Sequence, residues 1–309
     1  MLSKVLRVLD FDESVARQTR LLKQNHSVVI DLKNIGPECR TWMSSRMGER
    51  IKSVLNPELK NAVTFLGSGD FHHVSSLLIE QFEEPINVIL VDHHPDWDIL
   101  PPRLGYGSWV TTALRRENIV KFILLGISSS DISTFSIQTG NLNALKNNRL
   151  EIYPLSHPPT KVFLRRVPEN VSLRIEKKFL GTKIHWREIR GQNISDFLGG
   201  IISRLETKNT YLSIDKDCLK RAYALTNWEE GCLELNELLE LVRLIKENLN
   251  IIGLDIIGEY SRPKTQGIIK QFYTQLDHPK DFSAAQADED EITQINEDTN
   301  LKLLKALWE

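Results

Sequence analysis

The sequence predicts an α/β fold in which helices cover both faces of a mainly parallel sheet. Two observations point there. Short β-branched apolar runs alternate with segments of helical spacing, the pattern of a sheet buried on both sides. Four of those runs also end, on the carboxyl side, in groups suited to a ligand site: Asp70/His72, Asp92/His94/Asp96, Asp215/Asp217 and Glu259. Ligands of open parallel sheets lie beyond the carboxyl ends of the strands. Parallel pairing would therefore bring the four clusters to one edge.

The elements follow in order. Val5 to Leu9 reads as a strand, and the stretch through Ala16, Leu21 and Leu22 as an amphipathic helix. Ser27 to Leu32 is a second strand, carried by Val28, Val29 and Ile30. Gly36-Pro37 opens a loop, and Thr41 to Leu55 is helical. Ala62 to Leu66 is a strand that runs into Gly67-Ser68-Gly69-Asp70-Phe71-His72-His73, with helical spacing from Val74 to Phe82. Ile86 to Val91 is uncharged and β-branched, the signature of a buried strand. Leu104 to Trp109 is a glycine-rich turn before a helix over Val110 to Arg116. Val120 to Leu125, Leu150 to Pro154, Thr210 to Ile214 and Asn250 to Ile257 are the remaining strands. Leu233 to Asn248 is a strongly periodic helix and Thr299 to Trp308 a short terminal one, while Asn170 to Ile202 shows no clear period.

The 309 residues carry a formal net charge of −2, which gives no global attraction to nucleic acid or membrane. No run approaches the ~18 apolar residues of a membrane span. The N-terminus lacks a long apolar region, so no signal peptide is expected. Cys39, Cys218 and Cys232 are too few and too scattered for a disulfide framework or a cysteine zinc site, which fits a reducing cytoplasm. One domain over 1–309 is expected, ending in a polar acidic tail from about 277. Lys161 to Arg190 holds nine Lys/Arg against three Asp/Glu, and Asp277 to Asp298 holds eight Asp/Glu against one Lys. Two exposed faces that attract each other explain this more simply than nucleic-acid binding. His26, His157, His185 and His278 stand alone and read as structural or surface residues.

The densest chemistry is Asp92-His93-His94-Pro95-Asp96-Trp97-Asp98. Asp92, His94 and Asp96 are spaced i, i+2, i+4, so in extended chain all three point to one side. Unpaired charges at a buried strand end are costly to desolvate. A divalent cation removes that cost, and carboxylates with neutral imidazole suit manganese, iron or zinc.

These segments resemble the arginase–agmatinase family of ureohydrolases, which carries Gly-Gly-Asp-His, Asp-x-His-x-Asp and Ser-x-Asp-x-Asp segments. Asp92-His93-His94-Pro95-Asp96 matches the second and Ser213-Ile214-Asp215-Lys216-Asp217 the third. The first, Gly69-Asp70-Phe71-His72-His73-Val74-Ser75, carries one extra residue. His72 is the preferred ligand, because Val74 and Ser75 then fall on an apolar and a small polar position of the family; His73 is the alternative. The resemblance runs from about Ala62 to Glu259. It implies a three-layer αβα sandwich around a roughly eight-stranded sheet, and a binuclear site for divalent cations, manganese foremost. On that pattern His72, Asp92, Asp96 and Asp215 hold one ion, and Asp92, His94, Asp215 and Asp217 the other. Asp92 and Asp215 bridge the pair, roughly 3.5 Å apart.

The activity implied is hydrolysis of a C–N bond in a guanidino or amidine compound by a metal-bridging hydroxide. Glu259 would receive the cationic end of the substrate. Asp96, or water near Asp98, would protonate the leaving amine. Asp70 and Asp98 are expected beside the ligands as hydrogen-bond partners or turn residues.

Two departures stand out. The family carries a Gly-Asn-x-His segment after the second motif, whereas here stands Gly105-Tyr106-Gly107-Ser108-Trp109, without histidine. The family's Asp-Pro and Gly-Thr-Gly-like run after the third motif is replaced by Cys218-Leu219-Lys220-Arg221-Ala222 and Thr226-Asn227-Trp228-Glu229-Glu230-Gly231. The ligands are kept and the substrate walls changed, which argues against arginine as substrate. Trp109 and Trp228 are candidates either to stack on a cationic ligand or to fill the core. Two further readings stand beside the first: a single-metal amide deacylase, and a non-catalytic relative that keeps the metals. The expected partner is a small-molecule substrate, with room for a homo-oligomer and with no nucleic acid or membrane.

Overall fold

The eight apolar runs pair side by side in one sheet, and every pairing is parallel. The computed structural model describes residues 2–100, 103–163, 165–178, 181–277 and 288–309. The strands are β1 (Val5–Asp10), β2 (His26–Asp31), β3 (Val63–Phe65), β4 (Ile86–Val91), β5 (Ile119–Ile127), β6 (Leu150–Pro154), β7 (Asn209–Asp215) and β8 (Asn250–Ile257). Their order across the sheet is β2-β1-β3-β8-β7-β4-β5-β6. All six residues of β4 are buried, which is why its sequence, apart from Asn87, is a continuous apolar run rather than alternating.

Successive residues of β4 feed two separate cores. Val88 and Leu90 face one, with Met47, Ile51, Leu78 and Val110. Those side chains come from α2 (Ser45–Val54), α3 (Ser75–Ile79) and α4 (Trp109–Ala113). Ile89 and Val91 face the other, with Leu21, Phe197, Leu241, Ile245 and Leu303. These belong to α1 (Thr19–Gln24), α5 (Ile194–Ile202), α6 (Leu235–Asn248) and α8 (Glu289–Trp308). The result is a three-layer αβα sandwich. Local signals agree with the layers. The Ser44 hydroxyl accepts from the Met47 amide to cap α2, a contact worth about 1 kcal/mol. Glu234 and Glu237 form a capping box at the start of α6.

Three regions differ from the sequence expectation. Within Asn170 to Ile202, Leu173–Lys178 and Gly181–Trp186 pair antiparallel, with Thr160–Val162 added on the far edge. This small sheet carries much of the basic stretch, and its pairs are polar (Arg174 against His185, Glu176 against Lys183), which hides the strand period. A helix, α7 (Ile268–Asp277), also forms where none was expected. The last correction concerns the acidic tail. From Glu289 onward it is not a solvated tail but the 20-residue helix α8, which buries Ile292, Leu303 and Leu304. Its acids pair with arginines: Glu289 with Arg17 and Arg262, Glu297 and Asp298 with Arg20. None of those arginines lies in the basic stretch. Residues 278–287, His278 among them, lie outside the described residues. Among the described residues no helix is long and apolar enough to cross a membrane.

Candidate metal centre

The carboxyl ends of β3, β4 and β7 bring one imidazole and three carboxylates together. His72 Nδ1 lies 3.4 Å from Asp92 Oδ2, 3.1 Å from Asp96 Oδ2 and 3.2 Å from Asp215 Oδ2. Beside it, His94 Nδ1 is 3.0 Å from Asp217 Oδ2 and 4.0 Å from Asp92 Oδ1. Two groups with metal-ligand spacing therefore share one residue: His72/Asp92/Asp96 and Asp92/His94/Asp217.

The local chain explains the convergence, though not by the extended geometry that the spacing suggested. After Val91 the backbone turns: the His94 amide donates to Asp92 Oδ1 at 2.7 Å, and Asp96 sits in the left-handed region with φ 48°. Such a conformation is costly for a non-glycine residue and persists where the surroundings enforce it. Here Trp109 Nε1 donates to Asp96 Oδ2 at 2.8 Å, and the Val110 amide donates to the Asp96 carbonyl. In the third segment the Asp217 amide donates to Asp215 Oδ1 at 3.1 Å. Gly258, at φ 87°, passes so close that an added Cβ would lie 2.4 Å from Asp215 Oδ1, so no other residue fits there.

A buried relay fixes His72. Its Nε2 is 3.0 Å from Ser213 Oγ. Ser213 donates to Asp255 Oδ1 at 2.6 Å, and the Tyr211 hydroxyl donates to Asp255 Oδ2 at 2.6 Å. Support of this kind sets the ring orientation of a metal-ligating histidine. The relay was not recognised in the sequence. Its signal was a single Asp255 inside the otherwise apolar strand Asn250–Ile257.

The donor set fits divalent cations. Burial, then repulsion from Asp217, Asp96 and Asp215, pushes Asp92 well above the usual carboxylate range. Burial also raises Asp96. Burial alone would lower His72 and His94, but Asp215 and Asp96 raise the first, and Asp217 the second, to about 10 each. Four carboxylates and two imidazoles are thus packed together out of water, and Asp92 Oδ2 is buried without a hydrogen-bond partner. Carboxylates crowded in this way are stabilised by cations.

The other residues singled out in the sequence fall elsewhere. His73 is buried behind His72 and kept neutral by burial and by Lys270, with its pKa near 3; it takes no part in the cluster. Asp70 pairs with Arg40 at 2.5 Å. Glu259 does not line the cleft over the cluster. It is 2% exposed and bonded through Oε1 to Lys216 Nζ at 2.5 Å and to Asn300 Nδ2 at 2.7 Å. Lys216 occupies the carboxylate that was expected to meet substrate. The two tryptophans split: Trp109 is fully buried against His72, whereas Trp228 lines the cleft.

That cleft has a volume of about 340 Å³. Above the ligand groups its walls are Asp98, Tyr106, Ser129, Asp131, Trp228 and Glu229. Tyr106, in the turn that lacks the family histidine, packs against Trp228 with ring centroids 4.7 Å apart and the rings tilted by 57°. Gly69 admits Trp228: a Cβ there would meet the indole at 2.9 Å. Asp98 accepts from the Thr139 hydroxyl at 3.0 Å, and burial lifts its carboxyl to about 6. Asp131 was overlooked although it follows the end of β5, the same strand-end position as the other acids.

An all-parallel eight-stranded sheet with this cluster at its carboxyl edge is an arginase-like α/β architecture. The chain belongs to the arginase family, whose model matches residues 10–266. It is similar to the formimidoylglutamase of Bacillus subtilis subsp. subtilis str. 168, with TM-score 0.57 and 15% identity over 98% of this chain and 86% of that one. It is also similar to Trypanosoma cruzi formiminoglutamase with Mn2+2, with TM-score 0.52 and 13% identity over 98% and 92%. An uncharacterized protein of Thermotoga maritima is 26% identical over 259 residues, 84% of this chain and 81% of its own length.

Proposed function

We propose that this chain is a ureohydrolase-type enzyme that cleaves a C–N bond of a guanidino or amidine compound, using two divalent cations, manganese foremost. His72, Asp92 and Asp96, with Asp215, would hold one cation. Asp92, His94, Asp215 and Asp217 would hold the other. The observation that carries this reading is the sharing of Asp92 between two ligand groups, and the Mn2+2 in the Trypanosoma cruzi relative supports it. A single ion, as in an amide deacylase, would leave much of the charge of four carboxylates uncompensated. When bound, such a pair of cations supplies a water-derived nucleophile near neutral pH.

The chain's own residues do the rest. Ser213 and Asp255 hold His72 in one orientation, and Trp109 holds Asp96. Trp228 and Tyr106 form an aromatic wall suited to a planar group. Asp98, in the wall beside Asp96, is placed to pass a proton to the leaving amine, directly or through water. Glu259 braces Lys216 and has no role towards substrate. With no histidine in the Gly105–Trp109 turn, turnover is slow or the leaving group needs little protonation. The reading takes the chain as one catalytic domain working in the cytoplasm.

The test is elemental analysis of protein purified without chelator, paired with a urea- and ammonia-release screen over guanidino, amidine and amide compounds. Two ions per chain and release from a guanidino or amidine compound are expected. Fully loaded protein that hydrolyses nothing in the panel would leave a non-catalytic metal protein as the better account.

A further inference from the structure

The ligand cluster leaves one histidine of its central loop unused. His93 stands between two ligands, Asp92 and His94, but its ring turns to the end of β5, where Nδ1 lies 2.7 Å from Ser128 Oγ. The amides of Ser128 and Ser129 donate to the His93 carbonyl, both at 3.1 Å. The His93 amide donates to Asp217 Oδ1 at 3.2 Å. Ring and backbone are both fixed, and the residue is 5% exposed. The other ring nitrogen, Nε2, faces Glu229 Oε2 at 4.0 Å, too far for a hydrogen bond. A ring oriented through one nitrogen, with the other left for a ligand, is how metal-binding histidines are set.

A second observation is independent of that ring. His93, His94 and Glu229 each offer one ligand atom, and the three atoms lie within 4.8 Å of one another. Neither His93 nor Glu229 belongs to the six ligands assigned to the manganese pair. The donor types differ as well. Each position of that pair takes one imidazole and three carboxylates, a set suited to manganese. Two imidazoles and one carboxylate hold zinc and leave a position open to water. With nitrogen and oxygen donors zinc also binds more tightly than manganese. His94 is the shared member: its Nδ1 is 3.0 Å from Asp217 Oδ2, and its Nε2 is 3.9 Å from Asp131 Oδ2. A neutral imidazole has one lone pair to give. Whichever nitrogen His94 gives to His93 and Glu229, the ring is then lost to the Asp92/His94/Asp217 group.

We propose that His93, His94 and Glu229 form a separate, inhibitory site for one zinc ion, and that filling it draws His94 away from the manganese pair. One zinc ion enters as one manganese ion leaves, so the charge of the cluster is conserved. The manganese held by His72, Asp92, Asp96 and Asp215 stays. The inhibition rests on the two-cation reading above; the zinc site rests on His93, His94 and Glu229 alone.

The test separates the two. Manganese-loaded full chain is titrated with zinc chloride by calorimetry, and the metal content of the desalted protein is measured at each step. One zinc should be bound and one manganese released per chain, with loss of whatever turnover the screen has found. Ser128→Ala removes only the group that orients the His93 ring, and should weaken zinc binding roughly 10–100-fold. His93→Gln and Glu229→Gln should weaken it further, while all three variants keep two manganese ions. Glu229, with its side chain 65% exposed, is the variant least able to disturb folding. Unchanged zinc affinity in Glu229→Gln and His93→Gln would overturn the site, since zinc would then be replacing manganese among the carboxylates. Three ions per chain with turnover intact would overturn the competition for His94. Two manganese ions and no zinc uptake would sink the zinc site and keep the hydrolase. Protein that takes up no manganese, but binds one zinc that both variants lose, would keep the zinc site and sink the hydrolase.

Discussion

Asp92, Asp96, Asp215 and Asp217 face a cleft that no described lysine or arginine lines. Asp12, Asp70 and Glu259, at the same edge of the same sheet, are closed by cations from the chain itself. Arg40 reaches Asp70 at 2.5 Å and Asp12 at 3.5 Å, and donates to the Ser261 hydroxyl. Lys216 is fully buried against Glu259. Both regions bury carboxylates, and both need positive charge to do so. One finds it inside the protein and becomes structure; the other must take it from solution and so becomes a candidate site. A buried carboxylate is thus informative only once its counter-charge is known.

The comparison can be broken most sharply at the bridge. Asp215→Ala should remove both ions and all turnover, read by elemental analysis on the purified variant. Retention of both ions would show that Asp215 does not join the two positions. Lys216→Met comes next. It leaves Glu259 buried and unpaired and should cost about 3–5 kcal/mol of stability, seen as a lower urea midpoint. The double variant Lys216→Met/Glu259→Leu should recover most of that loss, because no buried charge is left without a partner. If Lys216→Met instead weakens metal binding with stability unchanged, the two regions are not separate. The smallest effect is expected at the relay. Ser213→Ala should weaken metal binding roughly 10–100-fold through loss of His72 orientation, with little change in the urea midpoint. An unchanged affinity would mean that packing alone positions His72.

The eight strands were legible because a strand buried on both faces is mostly apolar along its length, as Ile86–Val91 is but for Asn87 and Asn250–Ile257 but for Asn250 and Asp255. The parallel order followed from alternation with helices. The hairpin over Leu173–Lys178 and Gly181–Trp186 was not legible, since its polar cross-strand pairs leave no apolar period. The start of α8 was hidden for a related reason. Its first turn, with Glu289, Asp290 and Glu291, looks like a solvated tail until Arg17 and Arg262 are seen beside Glu289.

At the centre, the sequence by itself determined which residues could gather: the spacing of Asp92, His94 and Asp96, and of Asp215 and Asp217, behind strands that end at one edge. Only the tertiary structure decided which acids remain open to a ligand. His72 rather than His73 turns inward because Ser213, far along the chain, meets its ring. Glu259 is withdrawn because Lys216, 43 residues away, reaches it first. Asp70 is withdrawn by Arg40, 30 residues away. The physical reason is that a strand's periodicity is local and can be read from neighbours in sequence, whereas neutralising a buried charge depends on distance in space, which no local pattern contains.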